Sequence, residues 1–330
     1  MSAPPEDWRP TASRERLALR AALLARTRAF FAARHVMEVD TPALVNAAVT
    51  DSHIHSVSVD ISAGLRVPGA TPPPMFLHTS PEYAMKRLLA AGMGDIYQIC
   101  HVARGFEQSR LHNTEFTLVE WYRLGFDLDA LMGEVEALVR ELCGAHPALA
   151  VTAQRLSYRE AFARHTGLDP LDATLPQLLE VIAHLGYRTP GGRDELLDLI
   201  MGAVIGPALG HDCLTFIYGY PASQAALARL DPRDPRTAHR FELYMAGVEL
   251  ANGFHELAAA DEQRARFAQD RHDRQQRGLP VPEMDERLLA ALAAGLPDCA
   301  GVAVGFDRVL MLAAGAAHIQ EVLPFPTQTA

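Results

Sequence analysis

The segment Phe241-Glu242-Leu243-Tyr244-Met245-Ala246-Gly247-Val248-Glu249-Leu250 carries two strand-like runs around Ala246-Gly247, a pair that fits a two-residue hairpin turn. With the turn there, Tyr244 lies opposite Glu249, and Glu242 falls diagonal to Glu249 on the same face, roughly 7–8 Å away at Cα. Two readings fit this carboxylate pair. One is an acidic, solvated strand face. The other is a seat for Mg²⁺, which takes one or two carboxylates and completes its shell with phosphate oxygens.

Working outward, residues 96–103 and 115–122 read as a second antiparallel hairpin with an unusually long tip. Arg104, Glu107, Arg110, His112 and Asn113 crowd into that tip. Period two then puts Phe116, Leu118, Glu120 and Tyr122 on one strand face. An aromatic near a cationic loop, followed by a carboxylate and a phenol, suits a base, phosphates and an ammonium group in that order. A charged surface loop above a half-buried strand fits the same pattern. A third segment, Gly301-Val302-Ala303-Val304-Gly305-Phe306-Asp307-Arg308, is a glycine-punctuated strand turning into a helix over 309–314. There main chain and guanidinium can approach a phosphate, although many strand-to-helix turns carry glycine.

The remaining pattern predicts helices at 14–33, 82–92, 128–143, 158–166, 176–185, 194–205, 261–277 and 286–292. Thr79-Ser80-Pro81-Glu82 marks the start of the second of these with a hydroxyl cap and a first-turn proline. Short strands are expected at 36–41, stopped by Pro42, and at 213–218, and a loop at 66–74. Strands and helices do not alternate strictly, which favours an α+β fold with an antiparallel sheet flanked by helices. No long flexible linker brackets the helices of 127–210, so they are expected as an insertion within a single domain spanning 1–330.

The chain has 330 residues, 49% hydrophobic and 21% charged, enough for a full core. A formal net charge of −10 disfavours a protein that neutralises a long phosphate backbone, and suits a cationic substrate. No apolar run approaches the roughly 20 residues of a membrane span, and Met1-Ser2-Ala3-Pro4-Pro5-Glu6-Asp7 lacks signal-peptide character, so a cytoplasmic location is expected. Cys100, Cys143, Cys213 and Cys299 lie far apart without zinc spacing, and His53 and His55 have no third ligand nearby in sequence. GxxxxGK[ST], a strand-linked GxGxxG, GxSxG and HExxH are all missing.

Taken together, these segments resemble the class II aminoacyl-tRNA synthetases, specifically the lysyl branch. The region of about 14–44 resembles motif 1, the dimer-forming element; 96–122, with His112-Asn113-Thr114-Glu115-Phe116, resembles motif 2; and 301–314 resembles motif 3. Thr79-Ser80-Pro81-Glu82 and Glu249-Leu250-Ala251-Asn252-Gly253-Phe254-His255-Glu256-Leu257 resemble the lysyl-type signatures. Three features depart from the lysyl enzymes. Motif 1 begins too early for an anticodon-binding domain before it, Tyr220-Pro221-Ala222-Ser223-Gln224-Ala225-Ala226-Leu227 replaces a Met-Ser-Pro-Leu pattern, and Ala303 stands where glycine is typical. All three match the free-standing lysyl-synthetase-like ligases that attach (R)-β-lysine to a lysine side chain of elongation factor P.

The resemblance implies ATP and Mg²⁺ as cofactors, (R)-β-lysine or lysine as substrate, elongation factor P as acceptor, a homodimer, and no tRNA or membrane partner. It implies that Arg104 contacts the α-phosphate and substrate carboxylate, that His112 and Asn113 hold the nucleotide, and that Phe116 stacks the adenine. Gly105, Phe106, Glu107, Leu250 and Gly305 complete the ATP site; where the lysyl enzymes place glutamate two residues after the arginine, this chain has Phe106, with Glu107 next. Glu242 and Glu249 would bind Mg²⁺, and Arg308 would clamp the γ-phosphate. Ser80, Pro81, Glu82, Glu120, Tyr122, Asn252, Phe254, Glu256 and Ala303 would line the amino-acid pocket. Arg104, Arg308 and Glu249 would carry catalysis. The alternatives are a truncated synthetase-like enzyme that activates α-lysine for another acceptor and a non-catalytic lysine sensor. The presence of both carboxylates and both motif arginines speaks against the sensor.

Overall fold

A computed structural model describes residues 8–61, 74–144, 146–183, 186 and 192–330. Met1 to Asp7, the expected loop at 66–74 apart from Pro74, and His184 and Leu185 of the expected helix 176–185 lie outside the described residues. The chain runs α1 (Arg14–Ala32), β1 (Met37–Glu38), β2 (Leu44–Val45), β3 (Val57–Val59), β4 (Met75–Leu77), α2 (Glu82–Ala90), β5 (Ile96–Ala103) and β6 (Glu115–Leu124). There follow α3 (Leu128–Cys143), β7 (Gln154–Ser157), α4 (Tyr158–Thr166), α5 (Leu175–Ala183), α6 (Arg193–Ile200), β8 (Thr215–Pro221), β9 (Thr237–Met245) and β10 (Val248–His255). The last elements are α7 (Ala260–Gln276), α8 (Glu286–Gly295), β11 (Cys299–Gly305) and α9 (Phe306–Ala313). No helix among the described residues is long and apolar enough to cross a membrane.

The chain divides into two compact units. The first comprises Met1–Leu124, Ala258–Asp298 and Gly305–Ala330. Its central feature is the β5–β6 hairpin, paired from Ile96 opposite Tyr122 to Ala103 opposite Glu115, with the short β1 added in parallel on β5. The strand expected at 36–41 shrinks to β1 because Pro42 and the edge position leave few ladder bonds to make. Helix α1 begins where Ser13 Oγ accepts from the Arg16 N–H (3.3 Å). It buries Leu23, Phe30 and Phe31, and the Phe31 ring stacks on Tyr97 and meets Trp121 edge-on, with centroids 4.3 and 5.2 Å away. Arg20 of α1 reaches across to the Asp307 carboxylate and to Thr117 Oγ1 (2.6 Å). Asp307, almost fully buried, also accepts from the Thr117 N–H at 2.7 Å. One buried charge is thereby satisfied from both sides, and it ties α1, β6 and α9 together.

The second unit comprises Gly125–Leu257 and Cys299–Val304. Its strands lie in the order β11-β10-β9-β8-β7, antiparallel except for the outermost β7–β8 pair. Antiparallel strands mixed with helices make the chain an α+β protein. Helices α3 and α4 pack on these strands, and Tyr158, Phe162, Leu178, Ile182, Leu197, Ile200 and Ile217 form a buried cluster in which each large apolar side chain contributes about 1.5–3 kcal/mol. Ser157 and Glu160 form a reciprocal capping box that starts α4. The helix expected at 194–205 is α6 continued by a π-helical turn, Met201–Ile205.

Candidate active site

In the second unit, the hairpin turn falls where the sequence puts it. Met245 pairs with Val248, and Ala246 and Gly247 both take left-handed φ values of 51° and 74°, a type I′ turn. Tyr244 lies opposite Glu249 as expected. Beyond that point the strand is irregular: Leu243 pairs with Ala251, so Leu250 is the extra residue of a β-bulge. Leu250 and Ala251 are accordingly buried in succession, and the alternation resumes one residue out of phase. The register shift is decisive for the site, because it brings Asn252, Phe254 and Glu256 onto the face that carries Glu249. Asn252 then stands in a cross-strand row with Glu242 of β9 and Ala303 of β11.

This face is polar and densely bonded. Arg240 donates to Glu242 Oε1 (2.5 Å), to Asn252 Oδ1 (3.2 Å) and to the Gln224 carbonyl (2.8 Å), and its guanidinium lies 4.3 Å from the Tyr220 ring centroid. The Tyr244 hydroxyl donates to the other Glu242 oxygen at 2.6 Å. Burial opposes the charge on Arg240, but the Glu242 carboxylate outweighs it and holds the guanidinium firmly protonated. Burial, then Glu242 and Glu249, push the Tyr244 phenol well above its ordinary range, so it stays a donor. Arg240, which sits two residues before Glu242, is the member that sequence reading missed; period two from Glu242 was the available signal. Glu256 is buried, whereas Glu249 and Phe254 are partly open.

In the first unit, Arg104 and Arg308 bracket the loop at 104–114. Arg104 Nε donates to the Thr79 carbonyl (3.3 Å), and its guanidinium lies 5.1 Å from the Phe116 ring centroid, so one ring face already meets a cation. Arg308, in the first turn of α9 just beyond Gly305, donates to the Leu111 carbonyl (3.3 Å) and to His112 Nε2 (2.7 Å). A guanidinium has no acceptor, so Nε2 must be the lone-pair nitrogen and Nδ1–H donates to Ser109 Oγ at 2.7 Å. Burial, followed by the charges of Arg308 and Arg104, lowers the His112 pKa to about 4 and keeps the ring neutral. Asn113 is buried with both ends of its amide used inside the chain, to the Glu115 carbonyl (2.6 Å) and from the Thr327 N–H (3.1 Å). Phe106 is 92% exposed with a left-handed φ of 63°, whereas Glu107 is half-buried. Gly105 N–H donates to the His55 carbonyl at 2.7 Å, which puts His55 in a backbone role.

Ser80, Glu82, Glu120 and Tyr122 also come together. Ser80 Oγ and the Tyr122 hydroxyl donate to the two oxygens of Glu120 at 2.7 and 2.8 Å, and Glu120 is buried. Ser80 Oγ accepts from the Glu82 N–H at 3.0 Å, although Pro81 rather than Ser80 occupies the cap position of α2. Glu82 accepts from Lys86, a buried lysine one turn along α2, at 2.7 Å.

A family model described as tRNA synthetases class II (D, K and N) matches residues 6–329. The chain belongs to that family. Elongation factor P–(R)-β-lysine ligase of Vibrio cholerae is 48% identical over 326 residues, covering 97% of this chain and 98% of that protein. The proteins of the same name from Klebsiella pneumoniae and Salmonella dublin are 47% and 46% identical, over 98% of both chains in each comparison.

For a class II synthetase the hairpin face is chemically suited to Mg²⁺. Among the described residues no group of three or more His, Cys, Asp or Glu side chains could cage a metal by itself. Glu242 and Glu249 offer hard oxygen donors on one face, and a carboxylate with about four lone-pair sites can accept from Arg240 and Tyr244 and still bind a cation. That donor set fits a cation whose remaining positions are filled by phosphates.

Proposed function

We propose that this protein uses ATP and Mg²⁺ to activate (R)-β-lysine as an acyl-adenylate and transfers the acyl group to a lysine ε-amino group of elongation factor P. The observation that carries the reading is near full-length identity of 46–48% to ligases named for that reaction. The lysyl-type residues at 79–82 and 249–257 support it. In the same reading the protein is a cytoplasmic homodimer that does not charge tRNA, in keeping with its net charge of −10.

In the first step a carboxylate oxygen of the amino acid attacks the α-phosphorus, and the bond to the pyrophosphate oxygen breaks. Arg104 and Arg308 would neutralise charge on the α- and γ-phosphates, neutral His112 would hold the nucleotide beside Arg308, and Phe116 would stack the adenine on its second face. Mg²⁺ on Glu242 and Glu249 would screen the phosphate oxygens. Ser80, Glu82, Glu120, Tyr122, Asn252, Phe254 and Glu256 would orient the amino acid, with carboxylates toward its ammonium groups. In the second step the ε-amine nitrogen attacks the acyl carbon, AMP leaves with the electrons of the acyl C–O bond, and the new amide nitrogen sheds a proton. Catalysis is positioning and electrostatics throughout.

Intact-mass analysis of elongation factor P incubated with the protein, ATP, Mg²⁺ and either (R)-β-lysine or α-lysine tests this, with a parallel tRNA-charging control. The expected result is a one-lysyl gain on the factor, larger with the β isomer and absent on tRNA. Charged tRNA, or no adduct on either acceptor, overturns it.

A further inference from the structure

The returning limb of the 104–114 loop is fastened residue by residue to the chain beyond Gly305. The Arg110 carbonyl accepts from the Ile319 N–H (2.9 Å), and its guanidinium donates to the Ala317 carbonyl (3.2 Å). Arg308 holds Leu111 and His112. Asn113, 3% exposed, accepts from the Thr327 N–H at 3.1 Å.

The segment that makes these bonds is itself anchored. Glu321 accepts from the Ala317 and His318 N–H groups (3.0 and 2.9 Å) and pairs with Arg16 of α1 at 2.7 Å. Thr11 and Ala12 donate backbone N–H groups to the Pro324 and Leu323 carbonyls (2.9 and 3.2 Å), and Ile319 and Val322 are buried.

We propose that the C-terminal segment 317–327 is a positioning element of the nucleotide site, acting through the Thr327 N–H on Asn113 and thereby on His112. Asn113 joins His112 to β6, and its amide is clamped at both ends, so the limb cannot pivot while Thr327 is in place. Remove that N–H and a buried carbonyl oxygen loses its donor, which the limb relieves by turning toward water. His112 and Arg308 then leave the arrangement in which they would meet phosphates. This inference rests on the ATP-binding reading given above.

The test is ATP–pyrophosphate exchange with the purified full-length chain and (R)-β-lysine. Thr327→Pro deletes the N–H, and Thr327→Ala keeps it. Thr327→Pro should raise KM for ATP about tenfold, the scale of one lost buried hydrogen bond, while KM for the amino acid stays unchanged and the melting temperature falls by no more than a few degrees. Thr327→Ala should behave as wild type. A chain ending at Pro326 removes the donor without imposing a proline ring and should reproduce the same split, which decides the matter if Thr327→Pro does not fold. KM for ATP within twofold of wild type in either variant, or an equal rise in both KM values, overturns the positioning role. A wild-type chain that shows no ATP-dependent exchange at all would instead sink the nucleotide reading itself.

Discussion

Asn252 stands directly opposite Glu242 across the β9–β10 pair, one residue later than regular pairing from Tyr244–Glu249 would place it. The bulge at Leu250 makes the difference. Without it, Asn252, Phe254 and Glu256 would point to the opposite face from Glu242 and Glu249, separated from them by the thickness of the sheet.

The two carboxylates of this face should respond differently to substitution. Glu249→Gln should reduce pyrophosphate exchange at least a hundredfold with an unchanged fold, because Glu249 is partly open. Glu242→Gln leaves the largely buried Arg240 without its ion-pair partner and should lower stability by about 3–5 kcal/mol as well. Exchange assays and urea unfolding check both, and near-normal exchange in Glu249→Gln would remove the metal assignment.

Ala303 lies beside Asn252 in the same cross-strand row. Removing its methyl should enlarge the proposed amino-acid pocket and shift preference toward α-lysine about tenfold, at the low end of what one methylene decides in a pocket. The ratio of exchange rates with the two isomers measures this; an unchanged ratio denies the methyl its role.

His112 should stay neutral until far into the acid range. Its folded pKa of about 4 lies below the ordinary 6.5, so between these values the unfolded chain binds a proton that the folded chain does not. Its contribution to stability is therefore complete above pH 6.5 and is lost as the pH falls toward 4. Nitrogen-15 NMR of the ring should show the Nδ1–H tautomer at neutral pH and a midpoint near 4, and a midpoint near 6.5 would contradict the Arg308 contact.

Gly253 faces away from the polar row, where an added Cβ would come within 2.5 Å of the buried Phe241 ring. Gly253→Ala should cost about 1–3 kcal/mol through overpacking, read as a lower midpoint in thermal or urea unfolding. A neutral substitution would mean that the ring can move aside.

Much of this was legible in the chain itself. Local rules were enough for the Ala246-Gly247 turn, the β5–β6 hairpin, the helix boundaries near Arg14, Leu128 and Tyr158, and the grouping of Glu120 with Tyr122, because each depends on periodicity or turn chemistry within a few residues. The lysyl-type motifs likewise identified the family from sequence alone. The bulge at Leu250 carries no local signature, since no glycine or proline marks it and the strand pattern reads equally well without it. Arg240 beside Glu242, Arg308 on His112, Arg20 on Asp307 and Thr327 on Asn113 lie between 2 and 287 residues apart in sequence. Apart from the first, these pairs exist only once distant segments are packed, when burial makes each unsatisfied donor or charge costly enough to fix its partner. The sequence therefore determined which side chains are available and what strands and helices carry them; tertiary packing alone decided which face they share and which of them are already held before any ligand arrives.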